Sequence, residues 1–364
     1  MCEAKEMEGE LKNFIRFCVL TLAFLLYSYF IAAKIPKGLL RLISILPVIT
    51  LLSILPFDLN SFHIGSATWF LVAWLANFKL LLFAFDQGPL SVPKHDLLCF
   101  ILTACFPFKI KQNPSPKKPF ETKTNLILEA ATRATIVSTV VYAYNNYEHY
   151  FHKHILFIYC FYIYHALQFL LALAASSAQL LLGVELEPQF NAPLLSTSLQ
   201  DFWGHRWNLR VSELLRATVY IPAHRISTRI IGPRWPSLPA VFLTFFVSGL
   251  MHELLVYHMT RERPTWEMTW FFILQGVFVD MEIVLKKKLV ATNKFRLHRA
   301  ISGPLALANI AVTAGWLSYT QILRNGIDEK LIKEFNMFMP FLKGHGYKQI
   351  LSACSTSQGQ VHGL

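Results

Sequence analysis

Apolar residues in this chain come in long unbroken runs, and the charged residues gather between the runs instead of alternating with apolar ones. A helix needs roughly 20 residues to cross about 30 Å of hydrocarbon. Eight runs of about that length or longer occur, at 14–33, 39–57, 64–85, 125–147, 154–182, 237–259, 265–285 and 301–323. In hydrocarbon every backbone N–H and C=O must be satisfied within the protein, so the pattern predicts an all-α, polytopic membrane helix bundle. It implies eight or nine transmembrane helices, the ninth being a segment near 335–342. The first run follows the acidic residues Glu3, Glu6, Glu8 and Glu10. A cleaved signal has a basic start and a small-residue cleavage site, so this run reads as a retained span.

The run 97–108 is too short to cross and leads into a basic, proline-rich stretch at 109–123. It reads as a re-entrant or interfacial segment. Within that stretch, Asn113-Pro-Ser-Pro-Lys-Lys-Pro contains three residues without an amide hydrogen and so falls in an exposed loop. No internal repeat is visible. Residues 1–364 read as a single membrane-embedded domain, with 324–364 a C-terminal segment that the pattern does not place.

Composition sharpens this picture. Of 364 residues, 54% are hydrophobic and 15% charged, where a soluble domain carries about 25% charged. The net charge is +12. The basic residues lie between apolar runs and form no nucleic-acid-binding motif, so nucleic acid is not an expected partner. With the N-terminus lumenal, the cytosolic loops would hold Lys34, Lys37 and Arg41, the lysines of 94–123, the arginines from Arg206 to Arg234, and Lys286, Lys287, Lys288, Lys294, Arg296 and Arg299. That asymmetry is what the positive-inside rule requires, and it puts loops 109–123 and 286–299 in the cytosol. The tail, with Arg324, Lys330, Lys333, Lys343 and Lys348, breaks the pattern. Of the six cysteines, four lie in apolar runs and none forms a Cys-x-x-Cys pair, so neither a disulfide framework nor a metal site is expected.

Two stretches carry candidate chemistry. Gln200-Asp201-Phe202-Trp203-Gly204-His205-Arg206-Trp207-Asn208 packs aromatic and polar groups into a basic loop. In the run 237–259, His252 and Glu253 sit well inside an apolar helix. An imidazole in hydrocarbon needs a polar partner, so His252 marks either a polar cavity or a bond to a neighbouring helix. In the cavity reading, neutral imidazole can accept a proton as a general base must. Glu253 could orient that imidazole, or bond another helix or Tyr257. His165 and Gln168 could line a reaction chamber. Glu129 and Arg133 are spaced for an intrahelical ion pair.

Together the two stretches, with Ser248-Gly249-Leu250-Met251-His252-Glu253-Leu254, resemble the membrane-bound O-acyltransferase superfamily, in its plant wax synthase and acyl-CoA:sterol acyltransferase branch. The resemblance extends through Asn77 to Phe85, Gly88-Pro89-Leu90 and Leu186 to Asn191, and departs at His205, where that branch would have arginine. It implies that His252 is the catalytic histidine and Asn208 a second catalytic residue. It also implies a fatty acyl-CoA donor and a long-chain alcohol or sterol acceptor, the alcohol being favoured. Acyl-CoA would be a co-substrate, with no metal or bound cofactor, and the setting would be the lipid of a plant endoplasmic reticulum membrane. Trp203 and Trp207 would line a substrate path or anchor the membrane interface. Arg206 and Asp201 complete the expected substrate-binding set, and Arg206, Arg210 and Arg216 suit either coenzyme A phosphates or lipid headgroups. A lipid transporter or channel is the alternative of another class.

Overall fold

The computed structural model describes residues 2–91, 96–111, 128, 131–140, 142, 161–162, 164–176, 178–179, 186–291, 298–327, 329–331 and 333–334. Ten helices among these residues frame the bundle. α1 is Cys2–Phe30, α2 Leu39–Ile54, α3 Phe62–Ala84, α4 Leu97–Cys105 and α5 Tyr164–Ser176. Further on, α6 is Leu209–Leu215, α7 Ile221–Ile231, α8 Ser237–Thr260, α9 Glu267–Ala291 and α10 Arg299–Arg324. Among the described residues there is no strand, only an isolated antiparallel bridge between Ile110 and Leu186.

Among the described residues, six helices are long and apolar enough to cross a membrane: those within α1, α2, α3, α8, α9 and α10. They coincide with six of the eight expected runs. The other two, 125–147 and 154–182, are described only in part, as helix at 131–140 and as α5, whereas 335–342 and most of 109–123 lie outside the described residues. The protein is thus an integral membrane helix bundle.

α4 has nine residues, too few to cross. Its ends are satisfied from outside the helix. The Asp96 carboxylate accepts the Cys99 N–H at 3.1 Å, and the buried Lys79 ammonium donates to the carbonyls of Thr103 and Phe106, each at 2.7 Å. A cation at a helix C-terminus is the favourable arrangement there.

Polar contacts sort into two ends of the bundle. At one end Glu10 accepts the N–H groups of Asn60 and Ser61, Arg261 donates to the Phe57 carbonyl, and Arg324 pairs with Glu267. Glu334, just past α10, joins them by accepting the His63 N–H at 3.0 Å at the start of α3. At the other end Lys37 pairs with Asp86, Lys109 with Glu187, Lys286 bonds Ser198, and Lys287 donates to the Arg234 carbonyl. α1, α2 and α3 alternate in direction, and so do α8, α9 and α10.

α8 and α9 pack closely because glycines lie at their contact. A Cβ on Gly249 would lie 3.0 Å from the Thr269 Cα, and one on Gly276 would lie 3.0 Å from the Phe245 Cβ. Small residues let membrane helices approach in this way. Glu253 locks the pair, accepting the Trp266 N–H at 2.9 Å and the Thr269 N–H at 3.2 Å, and the Gln321 amide of α10 at 3.1 Å. Of the options open to Glu253 in the sequence, the fold realises the bond to other helices. Gly249→Ala should therefore push α8 from α9 and cost about 1–3 kcal/mol, the range for overpacking. Thermal unfolding in detergent would read it, and an unchanged transition would show that the contact relaxes freely.

Candidate active site

A cavity of about 880 Å³ runs through the bundle between α8, α9, α10 and the loop 200–208. One face of α8 forms its long wall, through Ser237, Val241, Thr244, Ser248 and His252. At 1.5 Å per residue, His252 lies about 22 Å along the helix from Ser237. Gln200, His205, Arg216 and Lys287 line it from the basic end of the bundle, while Val279, Ile310, Ala311 and Ala314 make its walls apolar.

His252 is held on three sides. Its Nδ1 is 2.7 Å from the Ser248 carbonyl oxygen one turn back. Its ring stacks on Phe272 at 4.3 Å and meets Trp74 edge-on at 5.1 Å. A carbonyl oxygen only accepts, so Nδ1 carries the hydrogen and the Nε2 lone pair is left to act. The sequence left a choice between a cavity and a helix-to-helix bond. The structure gives a cavity-lining residue whose second nitrogen is tied within its own helix.

Asn208 reaches the same cavity from the loop. It is buried, and its backbone is left-handed, with φ 35° and ψ 66°. Asparagine tolerates that region far better than most residues with a Cβ. It also serves as N-cap of α6, its Oδ1 accepting the Val211 N–H at 3.4 Å. With the oxygen committed to the cap, the amide NH₂ is the group that can donate into the cavity.

Trp203 and Trp207 both line the cavity. Trp207 stacks between Tyr164 at 5.8 Å and Phe202 at 5.4 Å. Trp203 packs on Phe245 and Phe272, and its Nε1–H donates to the fully buried Gln275 at 3.2 Å. The Gln275 amide in turn donates to Thr313 of α10 at 2.8 Å. Gln275→Leu should leave the Trp203 N–H without its acceptor and lower stability by about 0.6–2 kcal/mol, the range for interhelical bonds in membranes. Gln275→Glu, which keeps the acceptor, should lose less. Equal melting of both variants and the wild type would remove any role for the bond.

Arg206 and Asp201 are brought to each other, not to the cavity wall. The Arg206 Nε donates to Asp201 at 2.7 Å, and its Nη1 to the carbonyls of Asn191 and Ala192, each at 3.3 Å. Burial alone would raise the Asp201 carboxyl, but the Thr197 N–H and Arg206 outweigh it and hold the group below the usual carboxylate range. The pair braces the loop that presents Asn208. Arg210 pairs with Glu187 and Glu213, both at 3.0 Å, so it too is internally engaged. Arg216 does line the cavity. His165 and Gln168 are not among the cavity-lining residues, whereas their neighbours Phe161 and Tyr164 are. The Glu129–Arg133 pair lies outside the described residues because Glu129 does.

The sequence reading missed the partners that set His252 in place, namely Ser248, Trp74 and Phe272, and the α10 wall. It also missed that four π-helical segments border the cavity: Trp69–Ala76, Phe202–Arg206, Arg216–Tyr220 and Ala314–Tyr319. A π-helical turn widens a helix locally and often occurs at functional sites. The apolar runs carry no periodicity signal for it.

The chain is similar to known acyltransferases. The chain is 42% identical over 336 residues to a long-chain-alcohol O-fatty-acyltransferase of Simmondsia chinensis, covering 91% of this chain and 95% of that one. It is also 42% identical over 327 residues to acyl-CoA–sterol O-acyltransferase 1 of Arabidopsis thaliana, covering 89% and 94%. The membrane bound O-acyl transferase family is matched over residues 186–274, a stretch that holds both Asn208 and His252. Similarity at this level that runs nearly end to end, together with the family match, has a single reading: the chain belongs to the membrane bound O-acyl transferase family.

Proposed function

We propose that the protein transfers a fatty acyl group from acyl-CoA to the hydroxyl of a long-chain primary alcohol, giving a wax ester. In this reading His252 Nε2 takes the proton of the alcohol as its oxygen attacks the thioester carbonyl carbon. The Asn208 amide donates to the oxygen on which negative charge develops. Collapse of the tetrahedral intermediate breaks the C–S bond, and the proton passes to the departing sulfur, releasing coenzyme A. No acyl-enzyme and no bound cofactor is required. The observation that carries the reading is the Nδ1–carbonyl bond, which commits His252 to the tautomer a base needs in a cavity shared with Asn208.

Trp203 and Trp207 are proposed as walls of the substrate path and Arg216 as a contact for the coenzyme A phosphates. Asp201 and Arg206 would act on substrate through the loop they brace. Identity is 42% both to the alcohol-acylating and to the sterol-acylating relative, so overall similarity does not choose the acceptor. A slim primary alcohol has an unhindered hydroxyl and can reach a histidine set about 22 Å down a helix wall. A rigid sterol brings a hindered secondary hydroxyl and needs a wider lateral opening.

The topology proposed with this function has eight spans, the C-terminal segment and any ninth crossing standing apart, and α4 re-entrant or interfacial. Lys109 and Glu187 pair at the basic end, a placement that is compatible with two crossings by the runs 125–147 and 154–182. The basic end would face the cytosol of the endoplasmic reticulum membrane, with the whole chain acting as one domain.

The deciding assay supplies purified protein with labelled acyl-CoA and a mixture of hexadecanol and a plant sterol. Wax ester should dominate. Preferential sterol ester would assign the sterol as acceptor, and neither product would remove the proposal.

A further inference from the structure

α7 presents a face that the proposed reaction does not use. It follows directly on the π-helical turn Arg216–Tyr220. The cavity takes Arg216 and Tyr220 and no residue of α7 itself. α7 turns Ser227 inward, where it is buried, with His224 and Thr228 half-buried beside it. Successive helical positions lie about 100° apart, so 225 and 229 share one strip of the outer face and 226 and 230 the next.

The two strips differ in kind. Arg225 and Arg229 are exposed, and among the described residues neither guanidinium has an acidic partner. Ile226 and Ile230 are 57% and 75% exposed, more than a helix bathed only in water would readily leave open. A helix lying in the interface of a bilayer resolves both observations, with isoleucines among the upper acyl carbons and arginines among the phosphates.

We propose that the outer face of α7 is a binding surface for anionic phospholipid in the leaflet at the basic end of the bundle, with Arg225 and Arg229 as its phosphate contacts. Guanidinium groups match phosphate oxygens in geometry as well as charge. The acyl donor is the weaker candidate occupant. At 1.5 Å per residue, Arg225 and Arg229 stand about 8 and 14 Å along the axis beyond Tyr220, the last cavity-lining residue before α8. A phospholipid offers phosphate and acyl chain side by side, as the two strips require.

The test places the full-length protein in nanodiscs of phosphatidylcholine with a minor fraction of phosphatidylserine. Native mass spectrometry then reads which lipid stays bound. Wild type should retain phosphatidylserine in excess of its share. R225Q/R229Q should lose that enrichment, by roughly five-fold for each arginine at an anionic surface, with unfolding unchanged because both side chains are exposed. Enrichment that survives in the double variant overturns the proposal. So does displacement of phosphatidylserine from the wild type by added coenzyme A, which would give the arginines to the acyl donor. Ester synthesis is not measured, so the outcome is independent of the function proposed above.

Discussion

Membranes containing His252→Ala should hold normal amounts of protein and make almost no ester. Loss of a general base typically costs about 10²–10⁴-fold in rate. The variant removes an imidazole that stacks on Phe272 and meets Trp74, so some packing is lost. The Glu253 bonds that hold α8 to α9 and α10 are untouched, and the fold should survive. Initial rates of ester formation, normalised to protein measured by immunoblot, decide the matter. A variant that keeps more than about a tenth of the wild-type rate falls outside the range for a base and would return His252 to a structural role.

Asn208 allows a finer dissection, since one side chain fills a left-handed backbone position, caps α6 and faces the cavity. Asn208→Asp keeps an oxygen for the Val211 N–H and tolerates the same backbone region, but it has no NH₂ to donate. If the amide stabilises the oxyanion, this variant should melt near the wild type and lose about 10²–10³-fold in rate. Asn208→Ala loses the cap as well, worth about 0.5–2 kcal/mol, and adds about 1–2 kcal/mol for the left-handed conformation. It should therefore lose stability in addition to rate. An Asp variant that stays fully active beside an unstable Ala variant would make Asn208 a loop-folding residue and nothing more.

Much of the fold could be read from the runs of apolar residues because hydrocarbon imposes a length, and 237–259 needed only single-residue adjustment to become α8. His252 and Asn208 stood out as candidates on different grounds. A polar side chain in an apolar helix is conspicuous against its surroundings, whereas Asn208 was singled out by the resemblance of its aromatic, basic loop to the acyltransferase superfamily. What could not be read is anything decided by approach between distant segments. Arg206 looked like an anion ligand by type, but its geometry is spent on Asp201 and two carbonyls of the loop. Lys79 lies within the apolar run 64–85, and it proves to seal the end of a helix more than 20 residues on. In each case the residue type announced a need for a partner, and only the three-dimensional arrangement named it.

The π-helical segment of α10 has a further consequence, because such a turn holds one residue more than an α-helical turn. Within Ala314–Tyr319 that extra residue sets the angular phase of everything after it. The bonds made by that later part are Gln321 to Glu253 and Arg324 to Glu267. Deleting a single residue from the segment would restore ordinary helical winding and turn both groups about 100° from their partners. Trp316 points outward and is 68% exposed, so it packs little against the bundle, yet the turn needs it in the count. This wall of the cavity is specified by arithmetic as much as by chemistry, and no change of side chain can compensate for an error in the number of residues.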